Sequence, residues 1–256
     1  LTGNLRADAS SRFGADNKWG YFPALSLGWI VSNEDFFTPN NIVNYLKIRA
    51  SSGRLGNQNI SNYAYLTLFS REGNITRYGN PKLKWETTLQ NNLGIDLRMF
   101  SNKVELNADI FKKKTKDILL GISLPTFVGN VDATYVNAGE VENTGFELNL
   151  RFKDKLGADG FYSLGGNLTG INNKVVALHE NVPRIIGEVT RAEIGQPLDV
   201  YYGYRMEGIY QNAAEVSTHL HGMSNPTAKA GDIKFADLNE DGIINDADRG
   251  FIGNPI

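Results

Sequence analysis

Residues 89–99 read LQNNLGIDLRM, and residues 104–110 read VELNADI. In both runs hydrophobic side chains recur at every second position, and polar side chains fill most of the positions between them. Successive side chains of a β-strand point to opposite faces, so each run predicts a strand with one apolar and one polar face. Ser101 and Asn102, between the runs, predict a tight hairpin connection. These two segments therefore indicate an antiparallel pair.

The same alternation recurs elsewhere in the chain. It is clear in residues 146–153 and 162–169 and weaker in residues 1–7, 25–29 and 46–50. Helical signals are limited to single turns near residues 32–35 and 212–216, and residues 54–81 and 181–225 are expected to be long loops. The sequence predicts an all-β, antiparallel fold of about nine to eleven strands.

Composition excludes several classes of protein. The chain has 256 residues, a net charge of −2, 41% hydrophobic residues and no cysteine. A near-neutral chain lacks the basic face that binding to nucleic acid requires, and the absence of cysteine removes disulfides, thiolate metal sites and thiol nucleophiles. No apolar run approaches the ~20 residues of a membrane-spanning helix. Because the first residue is Leu1, we expect a processed product or an excised segment.

Two architectures fit this alternation. A soluble sandwich buries its apolar faces, whereas a membrane barrel turns them to lipid and lines a water-filled interior with its polar faces. The pattern alone does not separate the two. Asn, Gln, Gly and Ser on the polar faces fit a barrel, and aromatic residues near the ends of the runs suit interfacial girdles. These aromatic residues are Trp19, Tyr21, Phe22, Trp29, Trp85, Phe100, Phe111 and Phe161.

The most specific short motif is DLNEDGIINDAD at residues 237–248. Oxygen donors at positions one, three and five, glycine at six and an acid at twelve form the spacing with which a short loop wraps Ca²⁺. Gly242 allows the sharp turn. The alternative is an acidic turn held by hydrogen bonds from its own side chains. The predicted ligands are Asp237, Asn239, Asp241, the carbonyl of Ile243, Asn245 and Asp248.

Other constellations are weaker. His219 and His221 lack a third metal ligand nearby in sequence, and Glu140 with Glu142 do not by themselves flank a scissile bond. We expect no enzyme. Lys112, Lys113, Lys114 and Lys116 form a charged strand end that either is solvated or contacts anionic head groups. Tyr201, Tyr202, Tyr204 and Tyr210 fit either a sugar-stacking platform or a girdle.

Several longer stretches, in this order along nearly the whole chain, resemble the C-terminal part of the SusC/RagA family of TonB-dependent outer-membrane transporters. They are DASSRFG (8–14), GYFPALSLGW (20–29), LKIRAS (46–51), GNQ (56–58), NPKLKWETT (80–88), GID (94–96), FKKKTKDILL (111–120), NAGEVENTGFE (137–147), YGY (202–204), GIYQ (208–211), GDIKFAD (231–237) and IGNP (252–255).

The resemblance implies a location in the outer membrane of a Gram-negative cell, with extracellular loops. It implies import of a glycan or peptide through a barrel of twenty-two strands, capped by a SusD-like lipoprotein and energised by TonB through an N-terminal region that is absent from residues 1–256. We expect the segment to be too short to close that barrel alone, so the parent protein transports and the isolated segment does not. The alternative is a soluble, calcium-stabilised carbohydrate-binding β module of a secreted protein.

Overall fold

The computed structural model describes residues 1–38, 42–122, 131–157, 159–178, 184–220 and 227–253. The chain divides into two compact units, Leu1–Val182 and Pro183–Ile256. The strands of the first unit are β1 (Thr2–Ala9), β2 (Trp19–Ile30), β3 (Val43–Asn57), β4 (Leu68–Phe69), β5 (Ile75–Arg77), β6 (Glu86–Met99), β7 (Val104–Lys116), β8 (Leu119–Ile122), β9 (Thr134–Asn137), β10 (Gly139–Leu156) and β11 (Gly160–Leu178).

Seven of these strands form one antiparallel sheet in the order β1-β2-β3-β6-β7-β10-β11. The predicted hairpin between β6 and β7 is confirmed: Phe100, Ser101 and Asn102 all have positive φ, and the Lys103 amide donates to the Phe100 carbonyl at 3.2 Å. The β10–β11 connection is equally short. We call this end of the strands the short-turn end and the opposite end, where residues 58–85, 117–122 and 131–138 lie, the long-connection end.

One side of the sheet, the apolar face, is a continuous surface of exposed hydrophobic side chains. Leu93, Ile110 and Phe146 lie side by side across β6, β7 and β10 and are each between 45% and 57% exposed. Nothing in the described residues covers them, so the leucine and phenylalanine rows are not sandwiched inside a globule. The exposed members of the apolar face include Leu25, Leu27, Trp29, Leu93, Ile95, Ile110, Phe146, Leu150, Leu164 and Leu168.

The buried core of the first unit is small and sits with the long connections. We call it the loop core, and its members are Phe13, Phe22, Ile60, Ala64, Leu83 and Trp85. The Trp85 indole donates to the Lys18 carbonyl at 3.2 Å, which joins the β1–β2 connection to the start of β6. The Phe22 ring covers Gly20 and Gly56, where a Cβ would come within 2.4 and 2.0 Å of ring atoms. These glycines let the ring lie flat on the sheet.

The predicted aromatic girdle is therefore only partly right. Trp19, Tyr21 and Trp29 are exposed on the apolar face, and Phe100 and Phe161 are exposed near the short turns. Phe22 and Trp85 instead belong to the loop core. Phe111 points to the other face and covers Gly145, where a Cβ would lie 2.6 Å from the ring. Position at a strand end does not reveal which face a ring occupies.

The second unit contains β12 (Arg184–Ile186), β13 (Thr190–Glu193), β14 (Val200–Tyr204), β15 (Met206–Ile209), α1 (Ala213–Thr218), β16 (Ile233–Phe235) and β17 (Arg249–Gly253). Its sheets have the orders β12-β13-β14-β17 and β15-β16. The helical turn predicted near residues 212–216 is confirmed, and the Asn212 side chain caps it by accepting from the Glu215 amide at 2.9 Å. No helix among the described residues is long and apolar enough to span a membrane.

The described residues contain seventeen strands, more than the nine to eleven predicted. The additional strands are two to five residues long and fall mostly in segments predicted as loops. Strands of that length are too short to show alternation. β3 also runs on to Asn57, because residues 54–57 pair with residues 86–89 of β6 although their own side chains do not alternate cleanly.

Leu150 and its neighbour Asn149 point to opposite faces of β10, which makes them a matched pair. Leu150 is 48% exposed on the apolar face. In the full-length protein reconstituted in lipid vesicles, we expect Leu150→Arg to lower the free energy of unfolding by about 2–4 kcal/mol, the cost of an arginine near the bilayer midplane. Asn149→Arg should cost less than about 1 kcal/mol, a typical surface value being about 0.5. Urea titration followed by tryptophan fluorescence measures both, and equal losses would contradict the assignment of the lipid side.

Candidate functional site

The other side of the sheet, the polar face, is organised around one arginine. Arg49 of β3 reaches across the sheet, and its Nε donates to both carboxylate oxygens of Asp96 on β6 at 2.9 and 3.0 Å. Its Nη2 donates to Asp109 on β7 at 2.9 Å, and Asn107 donates to Asp96 at 2.9 Å. Hydrogen bonds between ionised partners are stronger than neutral ones. This half-buried network ties three neighbouring strands together on the polar face.

Gly94 makes the network possible. It lies on the polar face between Arg49 and Asp109, and a Cβ at this position would come within 2.2 Å of Asp109 Oδ1 and 2.8 Å of Arg49 Nη2. The guanidinium and the carboxylate occupy the space that a side chain would fill. The glycine within β6 is therefore explained by close approach of side chains from both neighbouring strands.

Amides and hydroxyls pair across strands on the rest of the polar face. Thr88 and Thr115 share a hydrogen bond of 2.9 Å, and Asn173 donates to Asn143 at 2.6 Å. A recess of about 690 Å³ opens beside Phe22. Arg6 and Asp8, paired at 2.5 Å, line it together with Asn4, Asn57 and Gln58. Such groups donate and accept hydrogen bonds at a wet surface, and hydroxyl-rich or peptide solutes offer matching groups.

The predicted calcium loop is an ordered turn, which we call the Asp237–Asp248 loop. Gly242 has φ +85° and its amide donates to Asp237 Oδ2 at 2.8 Å. The Asp241 amide donates to Asn239 Oδ1 at 3.1 Å, and the Ile243 amide donates to Asp241 Oδ1 at 2.8 Å. The last two hydrogen bonds each span two residues and close an Asx turn, whereas the first spans five residues and draws Gly242 back to Asp237. The first, third and fifth predicted ligands thus lie along one tight coil of backbone.

Asp248 closes this loop and is fully buried. It accepts from the Asn245 amide at 2.7 Å and from the Leu238 amide at 2.9 Å. The Asn245 amide, followed by those of Leu238 and Asn239, holds the pKa of the Asp248 carboxyl below its usual value in spite of desolvation. A lowered pKa in the folded state stabilises the loop at neutral pH, and that contribution is lost as pH falls through the lowered value.

Asp237 Oδ1 is buried and has no hydrogen-bond partner among the described residues. The same residues contain no group of three or more His, Cys, Asp or Glu side chains arranged to hold a metal ion. One carboxylate oxygen of Asp237 is therefore unpaired, whereas the other predicted side-chain ligands already accept hydrogen bonds from backbone amides. A carboxylate oxygen that accepts one hydrogen bond keeps a further lone pair for a cation.

The histidine pair has a structural use where it is described. His219 Nδ1 lies 2.7 Å from the hydroxyl of buried Tyr210, and its Nε2 lies 3.2 Å from Glu207. Burial raises the pKa of the Tyr210 hydroxyl. His221 lies outside the described residues. His219 therefore fastens the end of α1 to the β15–β16 pair.

The tyrosines singled out in the sequence are mostly committed to packing. The Arg191 guanidinium lies 3.4 Å from the centre of the Tyr202 ring, and Tyr204 donates to Asp246 at 3.2 Å. Tyr210 is buried, which leaves Tyr201, 46% exposed, as the one of the four with a largely open ring. The four tyrosines therefore do not form a common stacking platform in the second unit.

Glu140 and Glu142 pair with lysines on the apolar face. Glu142 lies 2.9 Å from Lys112, and Glu140 pairs with Lys114 and, at 3.5 Å, with Lys116. The two carboxylates are thus neutralised by the strand that precedes them in the sheet. Lys113 points to the polar face.

Sequence reasoning missed the Arg49 network. The three charged residues belong to three different strands, and only the register that pairs Arg49 with Gly94, and Gly94 with Asp109, brings them together. The available signal was the appearance of opposite charges on the polar side of successive strands, with a glycine among them.

A sheet with an exposed apolar face, a hydrophilic opposite face, short turns at one end and long connections at the other defines a membrane-barrel wall. Residues 1–220 match the family model described as "TonB dependent receptor-like, beta-barrel". The chain belongs to this family, and its features fit the C-terminal barrel portion of SusC/RagA-type members. Proteins of this family are located in the outer membrane.

Relatives support the same assignment. The chain is 34% identical to TonB-dependent receptor P3 of Formosa agariphila over 100% of this chain and 27% of that protein. It is 32% identical to TonB-dependent receptor SusC of Bacteroides thetaiotaomicron over 70% of this chain and 19% of that protein. The chain therefore spans about a quarter or less of these relatives.

Solved structures agree on the fold. The structure of the RagAB peptide transporter matches with a TM-score of 0.73 and 26% identity, over 82% of this chain and 24% of that chain. The RagAB peptide importer in its "closed-closed" state matches with a TM-score of 0.78 and 23% identity, over 98% of this chain and 28% of that chain. The antiparallel barrel wall expected from the sequence is confirmed, and the described strands do not close it into a barrel.

Gly94→Ala tests the network on the polar face. Because the added Cβ must displace Arg49 or Asp109, we expect it to cost about 1–3 kcal/mol, as overpacking does. Gly166→Ala on β11 is the matched control, since a Cβ there meets nothing within 4 Å, and it should be close to neutral. Urea unfolding of both full-length variants in vesicles measures the difference. Equal stabilities would mean that the Arg49 network does not depend on Gly94.

Proposed function

We propose that the protein carrying this chain imports nutrients, glycans or peptides, across the outer membrane, and that residues 1–178 form part of the barrel wall. The main support is the pairing of an exposed apolar face with a hydrophilic face that carries a polar recess. A surface of this kind is stable only between lipid and a water-filled passage. Membership of a receptor and transporter family, rather than a family of enzymes, agrees with this role.

The proposal extends to partners. By its likeness to SusC and to the RagA component of RagAB, the protein would work with a SusD-like surface lipoprotein and would draw energy from TonB. β11 ends at the long-connection end of the sheet, which corresponds to the side that faces outward in outer-membrane barrels. That side is where a capping lipoprotein and an incoming solute meet the protein.

The substrate is proposed as a glycan or a peptide because the polar recess suits both. Asn57 and Gln58 offer amides, and the Arg6–Asp8 pair offers a charged donor and acceptor. Sugar hydroxyls and peptide groups each donate and accept hydrogen bonds. A soluble carbohydrate-binding module is less well supported, since such a module would bury the leucine rows that are exposed on the apolar face.

A growth experiment tests import. A strain that lacks the gene is grown on oligosaccharide or oligopeptide panels as sole carbon source, with the full-length gene restored on a plasmid. We expect a growth defect on one of the two panels and normal growth when the gene is restored. Deletion of tonB should prevent the restored gene from rescuing growth. Recovery of the protein in the detergent-free soluble fraction, or growth that is unchanged on both panels, would contradict the proposal.

We also propose that the Asp237–Asp248 loop binds Ca²⁺ as a structural ion, with Asp237, Asn239, Asp241, the Ile243 carbonyl, Asn245 and Asp248 as the ligand set. The support is the ligand spacing, the positive φ of Gly242 and the buried, unpaired Asp237 Oδ1. The ion would rigidify a loop facing the substrate or the lipoprotein and would take no chemical part.

Calorimetry of the full-length protein tests the ion. We expect binding in the 10⁻⁴ to 10⁻³ M range that is common for extracellular calcium modules. Asp241→Ala should abolish the binding heat, and Glu240→Ala, which removes the same charge from the adjacent position that is not a predicted ligand, should retain it. Absence of binding in the unaltered protein, or an equal effect of the two variants, would refute the site while leaving the import proposal intact.

A further inference from the structure

Toward the long-connection end, the hydrophobic side chains of the apolar face give way to charged side chains. One row of directly paired residues crosses β3, β6, β7, β10 and β11 there. It consists of Arg54, Leu89, Lys114, Glu142 and Lys174. Adjacent rows on the same face add three more charged residues. We call the charged members of these rows the cationic belt: Arg54, Lys112, Lys114, Lys116, Lys174, Glu140 and Glu142.

Internal pairing leaves the cationic belt positive. Glu140 and Glu142 pair with Lys112, Lys114 and Lys116, which leaves one lysine charge in excess. Arg54 and Lys174 are exposed, and neither has an ion-pair partner within the part of the chain that the structure describes. Arg54 also borders the recess beside Phe22. Five cations and two carboxylates give a net charge of +3, although the chain as a whole carries −2. Cations are thus concentrated on a face that is otherwise hydrophobic.

The depth of the cationic belt is set by the sheet. On β7, Ile110 of the apolar face is followed at the next position on the same face by Lys112, about 6.8 Å along the strand. The polar zone of a bilayer adds about 5–8 Å beyond each side of the hydrocarbon. The first lysine therefore lies at head-group depth when Ile110 lies in hydrocarbon, and the long side chains can place their charges there.

The belt is wide and open rather than pocket-like. From β3 to β11 it spans four strand spacings, about 19 Å. A single free anion would meet only one or two of its cations. An array of phosphates at the surface of the surrounding lipid can meet several at once, and each basic residue near an anionic lipid surface contributes about 1 kcal/mol.

From this charge complementarity and depth, we propose that the cationic belt binds the phosphate groups of lipid head groups in the leaflet at the long-connection end. Lys112 and Lys114 are held in place by Glu142 and Glu140, whereas Arg54 and Lys174 carry the charges that are free to bind phosphate. The contact would fix the height and tilt of the wall in the membrane.

The test uses the full-length protein in phosphatidylcholine vesicles that contain diphosphorylated lipid A. After extraction in detergent, mass spectrometry measures the lipid A retained per protein. We expect strong retention by the unaltered protein and a reduction on the order of tenfold in the double variant Arg54→Gln/Lys174→Gln. These substitutions leave every Lys–Glu pair of the belt intact.

The matched control is the double variant Lys47→Gln/Lys113→Gln, which removes the same charge from the polar face and should retain lipid A normally. The unaltered protein provides a second test, because it should retain lipid A stripped of its phosphates far less than the diphosphorylated form. Equal retention of the two lipids, or equal losses in the two double variants, would overturn the proposal.

Two further outcomes would also overturn it by identifying a different occupant. Displacement of lipid A by millimolar inorganic phosphate would indicate a site for a free anion. Unchanged lipid retention in the Arg54→Gln/Lys174→Gln variant, with reduced co-purification of the surface lipoprotein, would indicate a protein interface.

Discussion

The pairing of backbone groups between seven antiparallel strands is the interaction on which this molecule depends. A strand whose apolar side faces hydrocarbon has no water to satisfy its amides and carbonyls, so each must bond to a neighbouring strand. The main sheet provides this pairing from β1 to β11. Its outermost strands, β1 and β11, need the same pairing on their far sides for the wall to be stable in lipid.

Because the backbone groups are paired within the sheet, the side chains of the two faces can contact different surroundings, lipid on one side and water on the other. On the lipid side, side chains such as Leu93 and Ile110 need no protein partner because lipid supplies the apolar contact. On the polar side, a charged network centred on Arg49 joins three strands, where a soluble protein would use a hydrophobic core. Glycines under Phe22 and under the Arg49 network allow side chains to lie flat against the sheet. The loop core then anchors the long connections at their end of the sheet.

Sequence reasoning succeeded where a pattern repeats over many residues. The long strands β6, β7, β10 and β11 were predicted because period-two alternation is set by local backbone geometry. It failed for short strands such as β4 and β12, and for aromatic residues such as Phe22 and Trp85. Their environment depends on contacts with segments far away in sequence. The Asp237–Asp248 loop could be singled out as a calcium candidate because all its candidate ligands lie within twelve consecutive residues.

The amino-acid sequence by itself determined that the chain forms two-sided antiparallel strands, and its long family-like stretches pointed to an outer-membrane barrel. It left the alternation open to either a sandwich or a barrel. The tertiary structure decided that question, because only the assembled sheet shows that no described residue packs against the leucine rows. It also decided which charges meet, since cross-strand register rather than sequence spacing joins Arg49 to Asp109 and aligns Arg54 with Lys174 across the sheet.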